Sequence, residues 1–298
     1  MPELPDLTIY VESLCKRIVG QRLENVRLDS PFILRTVKPS IDEVCGKTVR
    51  ELLRIGKRIV FGLDAEFFIV VHLMIAGRFH LKAPGAKIPG RVGHAAFDFE
   101  DGTLLLTEAS TKKRASMHIT RGRGSLAEFD RGGLEVLGSS LEQFHVALIK
   151  ENHTIKRTLT DPRLFSAIGN AYSDEILHRA RLSPLKLTRQ LTGDEVTSLH
   201  RAAIDTLQEW IDRLRKETGD SFPEKVTAFR AEMAVHGRLG KPCPVCGSKV
   251  QRIVYAENEC NYCARCQTAG KLLSDRSLAR LLKDDWPRTI DELESLGG

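Results

Sequence analysis

A chain of 298 residues with 42% apolar side chains can bury a full core, and its length suits two domains better than one. Forty-five basic against 39 acidic side chains leave +6, a mild lean toward polyanionic partners. No run approaches the ~18 apolar residues of a membrane span, and no apolar stretch near the start reads as a secretion signal.

The opening Met1-Pro2-Glu3-Leu4-Pro5-Asp6 carries chemistry. Proline is small enough for the initiator Met to be removed, which would leave Pro2 a secondary amine. An α-amino group titrates at roughly 7.7–8.0, so part of it is an unprotonated nucleophile at neutral pH. Such amines form Schiff bases with electrophilic carbon, and the adjacent Glu3 can serve as general acid or base. An isolated Met-Pro-Glu ordinarily means nothing; the rest of the chain decides.

From Asp6, the residues Leu7, Val11, Leu14 and Ile18 step at helical spacing, with Asp6 as the expected cap and Gly20 as the stop. Short runs come next at 22–28, 32–37, 58–63, 67–73, 80–82, 95–99 and 103–107, with Asp101-Gly102 as a hairpin signal between the last two. Closely spaced strands without intervening helices predict a β-sandwich or barrel, placed at residues 1–125. Gly56 would present Lys57 at a strand edge, and His72-Leu73-Met74-Ile75-Ala76-Gly77 would end the next strand in a turn. Thr111-Lys112-Lys113-Arg114 and Arg121-Gly122-Arg123 are basic loops, either phosphate-contacting or simply solvated.

Residues 126–216 read as helical. A helix is expected to reach Ile168, break at Gly169-Asn170, and restart at Ser173 or Asp174 before Pro184. That break would point backbone N–H groups and the Asn170 amide outward, toward a phosphate. Glu195–Lys216 forms a further amphipathic helix through Leu199, Leu207, Ile211 and Leu214. Five of the seven cysteines crowd into residues 243–266, which argues for metal and a reducing compartment. Cys243-x2-Cys246, sixteen residues, then Cys263-x2-Cys266 has the spacing of a tetrahedral Zn²⁺ site on a β-hairpin. Four protein ligands close the site, so the zinc is structural, and Cys260 is a spare thiol. A short closing helix over 278–282, with Trp286 packing back, completes a last segment at 236–298.

In this order, the Pro-Glu-Leu-Pro start, Gly-Lys edge, His-Leu-x-x-x-Gly turn, Gly-Asn-x-Tyr break and four-cysteine finger resemble the bacterial formamidopyrimidine-DNA glycosylase and endonuclease VIII family. The resemblance implies an α+β multidomain protein: an N-terminal catalytic β-sandwich with flanking helices, a helix–two-turns–helix DNA-binding domain at 126–235, and the zinc β-hairpin. It implies a base-excision repair enzyme, a bifunctional DNA glycosylase and abasic-site lyase. Pro2 would attack C1′ of a flipped-out damaged nucleotide, Glu3 would protonate the sugar ring oxygen, and β,δ-elimination would cut the strand. Asp6 stands where the family usually carries a second Glu, and Lys57 and Asn170 match its phosphate-holding residues. Tyr172 belongs to the same DNA-binding motif. One structural Zn²⁺, no small-molecule cofactor, damaged DNA as partner, no membrane, a monomer, and a cytoplasmic, nucleoid-associated location complete the expectation.

The chain departs from that pattern in three places. Asn258, between Glu257 and Glu259, occupies the finger position of a phosphate-gripping Arg. The loss of a charge-assisted contact costs about 1.5–3 kcal/mol. Where oxidised-purine enzymes fill the emptied stack with Met, Arg and Phe, this chain offers Ile75, with Met74 one residue early, and Thr111-Lys112-Lys113. Lys112 lacks the planar fork of Arg for reading an opposite base. The 217–225 stretch is short, with one Gly and a Pro. These departures imply a shifted substrate: ring-opened purines, oxidised pyrimidines, or lesions in single strands or at abasic sites. The alternative is a catalytically weakened member that binds damaged or distorted DNA.

Overall fold

The computed structural model describes the chain apart from residues 225, 228, 256, 257, 275–286 and 296–298. The expected helix over 278–282 and Trp286 therefore lie outside the described residues. Two compact units emerge, Met1–Arg131 with Trp210–Ala228, and Gly132–Glu209 with Phe229–Gly298.

The first unit opens with helix α1, Leu4–Ile18. It starts earlier than its apolar spacing predicts, because Glu3 and not Asp6 is the capping residue. Asp6, three positions on, reaches back so that its carboxylate accepts the Glu3 N–H at 3.0 Å. Pro5 fits the first turn, where its missing N–H is not needed. Leu7, Tyr10, Leu14 and Ile18 are buried, which holds the chain start against the sandwich.

Two four-stranded antiparallel sheets make up the sandwich. One is ordered β1 (Asn25–Leu28), β6 (Gly93–Phe99), β7 (Gly102–Glu108), β5 (Gly77–Lys82), and the other β2 (Val49–Ile55), β3 (Arg58–Leu63), β4 (Phe67–His72), β8 (Ser116–Arg121). The hairpin at Asp101-Gly102 forms as expected, with Phe99 opposite Gly102. Residues 32–37, expected as a strand, instead make a 3-10 turn at Pro31–Ile33 and a single bridge from Leu34 to Met117. Phe32 and Val37 are left exposed. Their apolar run has strand composition, but it meets the β8 edge only where Leu34 bridges Met117 and the Arg35 N–H donates to the Met117 carbonyl at 2.8 Å. Strand β2 lacks a clean alternation, with Arg50, Glu51 and a register shift near its start, whereas β8 alternates Met117 and Ile119 inward with His118 and Thr120 outward, a legible pattern absent from the expected strands.

Between the sheets, Phe61 of β3 stacks on Phe97 of β6 with centroids 5.6 Å apart. Phe79 of β5 meets Phe61 edge-on at 6.0 Å and Tyr10 edge-on at 5.9 Å. Edge-to-face rings at these distances add about 0.5–1.5 kcal/mol per pair beyond their burial.

In the second unit, α2 (Leu141–Ile149), α3 (Ile155–Thr160), α4 (Asn170–Arg179) and the first part of α5 (Gly193–Thr218) pack around Phe144, Phe165, Tyr172 and Leu199. The break lies earlier than expected. Helix α3 ends at Thr160, residues 161–169 turn, and Asn170 is the first residue of α4 behind the capping Gly169. Ser173 and Asp174, expected as caps, are buried inside α4. The later part of α5 belongs to the first unit, where Arg215 grips Glu12 through two bonds of 2.7 and 3.0 Å. The segment beyond α5 stays with that unit through Arg17 bonded to the Asp220 carbonyl and Phe222 packed on Tyr10.

The finger is the hairpin β9 (Gln251–Tyr255) and β10 (Asn258–Tyr262), with α6 (Ala264–Thr268) after it. A last helix, α7 (Ile290–Ser295), returns to it. Ile290 is fully buried with Ile253, Tyr262 and Leu272, and Arg265 pairs with Asp291 and Glu294. Ile290→Ala should therefore cost about 2–5 kcal/mol of local stability, read as faster hydrogen exchange in β9 and β10. An unchanged exchange rate there would show that α7 is ornamental to the finger.

Candidate active site and four-cysteine cluster

Burial of α1 places the chain start among polar groups. Pro2, Glu3 and Asp6 are all buried, Glu3 and Asp6 with 3% exposure. Burial holds the amine of Met1, the residue before Pro2, below its ordinary 8.0; Glu3 and Asp6 oppose that, while Arg78 and Lys57 add to it. The four residues expected to act together therefore share one electrostatic neighbourhood, and Arg78 joins them unannounced by any motif. Its guanidinium is held by backbone carbonyls, from Nε to Val226 at 2.6 Å and from Nη1 to Gly77 at 2.6 Å and Ile75 at 3.2 Å.

Lys57 sits in the two-residue turn of the β2–β3 hairpin, where Ile55 pairs with Arg58 and Gly56 supplies φ +55°. Beside it lies a cationic group that no motif announces. Arg58 is paired across the sheet with His72, and His118 lies two strands over. Burial, then Arg58, Lys57 and His118, push the His72 imidazole down to about 4. Burial and Arg58 also lower His118. Gly56-Lys57-Arg58 and the strand-ending His72 lie apart in the chain, and only the register brings these groups together.

This cluster sets a pH dependence. The folded His72 value lies below the ordinary 6.5, so as pH falls the unfolded chain takes the proton first. The stability is therefore full above pH 6.5 and is lost as pH falls from 6.5 toward 4. Ring titration by NMR should give a midpoint near 4 that rises in Arg58→Ala. A midpoint near 6.5 would contradict the burial and the charge cluster together.

The turn after His72 is tight. The Gly77 N–H donates to the Leu73 carbonyl at 2.8 Å, and a side chain at Gly77 would meet that oxygen at 2.1 Å. Met74 is half-buried at φ +52°, whereas Ile75 is 56% exposed at the turn tip. Lys112, Lys113 and Arg114 are exposed on the β7–β8 loop.

In the second unit, the Asn170 Nδ2 donates to the Glu259 carbonyl at 2.8 Å, which ties the start of α4 to β10. Tyr172, expected at the DNA, is instead fully buried. Helix α4 is enclosed on all its faces from Ala171 to His178, so its first turn offers the tyrosine only core. The side chain of Asn258 lies outside the described residues; its neighbour Glu259 pairs with Arg252 at 3.3 Å. Behind the hairpin, Asp174 binds Lys156, His236 and the Asn261 N–H. Burial alone would raise its carboxyl, but Lys156 and His236 hold it below the ordinary value. Glu175 accepts three backbone N–H groups, from Ala234, Val235 and His236, at 2.7–2.9 Å.

The thiols of Cys243, Cys246, Cys263 and Cys266 lie within 4.8 Å of one another. Four sulfur donors converging so closely fit a tetrahedral zinc ion. His178 Nε2 lies 3.3 Å from Cys243 Sγ, as an outer partner that orients a ligand. Cys260 is buried away from the four, and burial together with Asp174 pushes its thiol up, which makes it unreactive.

Family models agree with this anatomy: the formamidopyrimidine-DNA glycosylase N-terminal domain over residues 1–114, its H2TH domain over 137–221, and the zinc finger found in FPG and IleRS over 240–269. The formamidopyrimidine-DNA glycosylase of Heliobacterium modesticaldum is 32% identical over 281 residues, covering 90% of this chain and all of that protein. The chain belongs to the formamidopyrimidine-DNA glycosylase family. It is a base-excision repair enzyme, a DNA glycosylase with abasic-site lyase activity. An uncharacterized formamidopyrimidine-DNA glycosylase-like protein of Mycobacterium tuberculosis is 39% identical over 151 residues, 51% of this chain and 94% of its own. Among solved structures, the Lactococcus lactis enzyme with Fapy-dG DNA matches at TM-score 0.79 and 28% identity, covering 89% of this chain and 100% of that one. MutM with carbocyclic 8-oxo-G DNA matches at 0.80 and 27%, covering 90% and 100%. Residues 270–298, with α7, lie beyond the last family model. Among the described residues no helix is long and apolar enough to cross a membrane.

Proposed function

We propose that the enzyme excises ring-opened purines or oxidised pyrimidines through an imine on Pro2, after Met1 has been removed, and then cuts the strand. The buried constellation of Pro2, Glu3 and Asp6, with Lys57 close enough to act on the Met1 amine next to Pro2, carries this reading. The Pro2 nitrogen, unprotonated, adds to C1′ as the base departs with the glycosidic electron pair, and the nitrogen gives up its proton to the departing base. Glu3 donates a proton to the ring oxygen as the nitrogen lone pair moves into the C–N bond and the C1′–O4′ bond breaks, which opens the sugar and gives the iminium. Asp6 fixes the Glu3 backbone through its bond to the Glu3 N–H. β- and then δ-elimination release the base-free sugar and leave the strand cut.

Lys57 and Asn170 hold phosphates near the lesion, and Met74 or Ile75 enters the emptied stack. Lys112, Lys113 and Arg114 contact the strand from the β7–β8 loop, whereas Tyr172 supports the site from the core. Asn258 replaces a charged grip, which weakens hold on flanking phosphates and favours lesions that open the duplex by themselves. The division of labour is 1–125 for catalysis, 126–235 for DNA binding and 236–298 for the finger. One zinc on Cys243, Cys246, Cys263 and Cys266 folds the finger and, closed by four ligands, offers no position to substrate. The working form is a monomer without small-molecule cofactor, in the cytoplasm at the nucleoid.

Borohydride trapping on two oligonucleotides tests this, one with an abasic site and one with 8-oxoguanine opposite cytosine. Trapping on the abasic strand with little on 8-oxoguanine is the expected result. Asn258 and the absence of Phe from the 109–114 loop favour one competing reading, a weakened enzyme that binds distorted DNA. No trapping on either strand, with Met1 absent by mass, would decide for it.

A further inference from the structure

Glu108 ends β7 with 1% exposure, and the mechanism does not use it. Its carboxylate gathers the Arg114 N–H on both oxygens at 3.0 Å, the Ala115 N–H at 3.1 Å, and His94 Nε2 at 3.1 Å. A carboxylate only accepts, so His94 donates to it. The Glu108 N–H bonds the Val92 carbonyl at 2.7 Å, and its own carbonyl accepts from Lys113 Nζ. Both roots of the exposed 109–113 segment therefore converge on one buried residue. Burying a carboxylate is a poor source of stability, since desolvation offsets most of the attraction to its partners. What the arrangement does provide is a fixed direction for two successive backbone N–H groups at the far end of the loop.

We infer that Glu108, braced by His94, is a positioning residue that sets the shape of the 109–115 loop and so governs recognition of the damaged base. This rests on the reading of that loop as the one that faces the space left by the flipped nucleotide. Glu108→Gln keeps the volume but puts an amide donor where three donors already point. The loop then loses its anchor without a cavity being made. Abasic-site cleavage needs no base recognition, so the two activities separate. The ratio of base excision to abasic-site cleavage should fall about 10- to 100-fold in Glu108→Gln, as expected for a recognition group displaced by about 1 Å. His94→Ala, which leaves the two backbone donors in place, should shift the ratio the same way by less, and it decides the matter if Glu108→Gln fails to fold. Single-turnover rates on duplexes carrying Fapy-dG, 5-hydroxycytosine or an abasic site provide the ratio, with Lys112→Ala as the loop control. Equal losses on base and abasic substrates, or none, would overturn the inference and leave Glu108 a packing residue. Lys112→Ala impaired in excision while Glu108→Gln matches the wild type would overturn it alone. Lys112→Ala at wild-type rates, or a wild type that excises neither base, would overturn the reading of the loop and the inference with it.

Discussion

Pro2→Gly is expected to abolish borohydride trapping on abasic DNA, and Glu3→Gln to lower strand cleavage about 10²–10⁴-fold, the usual contribution of a positioned general acid. The two variants act on different steps. Without Pro2, a primary amine on a flexible residue replaces the rigid secondary amine at a buried chain start, and the near-attack geometry is lost. In Glu3→Gln the amine can still condense, with loss of water, on the ring-opened aldehyde form of an abasic site, so trapping there survives while ring opening of an intact nucleotide slows. A robust covalent adduct in Pro2→Gly would place the nucleophile on another side chain. Equal loss of trapping in both variants would mean that Glu3 serves only to hold the helix start, since it also caps α1.

The second large effect belongs to the finger. Cys263→Ser removes one of the four converging thiols, at a position with 0% exposure. Structural zinc contributes about 10–16 kcal/mol of apparent folding free energy in isolated fingers, far more than a hairpin of two five-residue strands supplies by itself. Zinc content by elemental analysis should fall to near zero, DNA affinity should drop, and the sandwich should keep its far-ultraviolet signal. Loss of the hairpin would also release the Asp174–Asn261 and Asn170–Glu259 bonds at α4. Hydrogen exchange at the start of α4 should therefore rise in the same variant. Full zinc loss with unchanged exchange at α4 would mean that α4 holds its shape without the finger.

Much of this protein can be read from local pattern. The first helix, six of the eight sandwich strands, the long amphipathic α5 and the finger ligands are each specified by period, punctuation or spacing within a few residues. Chemistry at the start of the chain is legible for the same reason, because a nucleophilic amine and its neighbouring acid are adjacent in sequence. Tertiary structure decided the rest. Residues 32–37 carry strand composition but meet the β8 edge only at Leu34 and Arg35, so tertiary pairing overrode propensity. Tyr172 and Asp174 have the local look of surface and cap residues, and only the packing of α4 turned them inward. The His72 cluster joins three strands and a turn, and the Glu108 anchor joins two strands and a loop. Sheet register makes such neighbours, and register depends on which strands pair, so charges far apart in the chain become a site only when the fold closes.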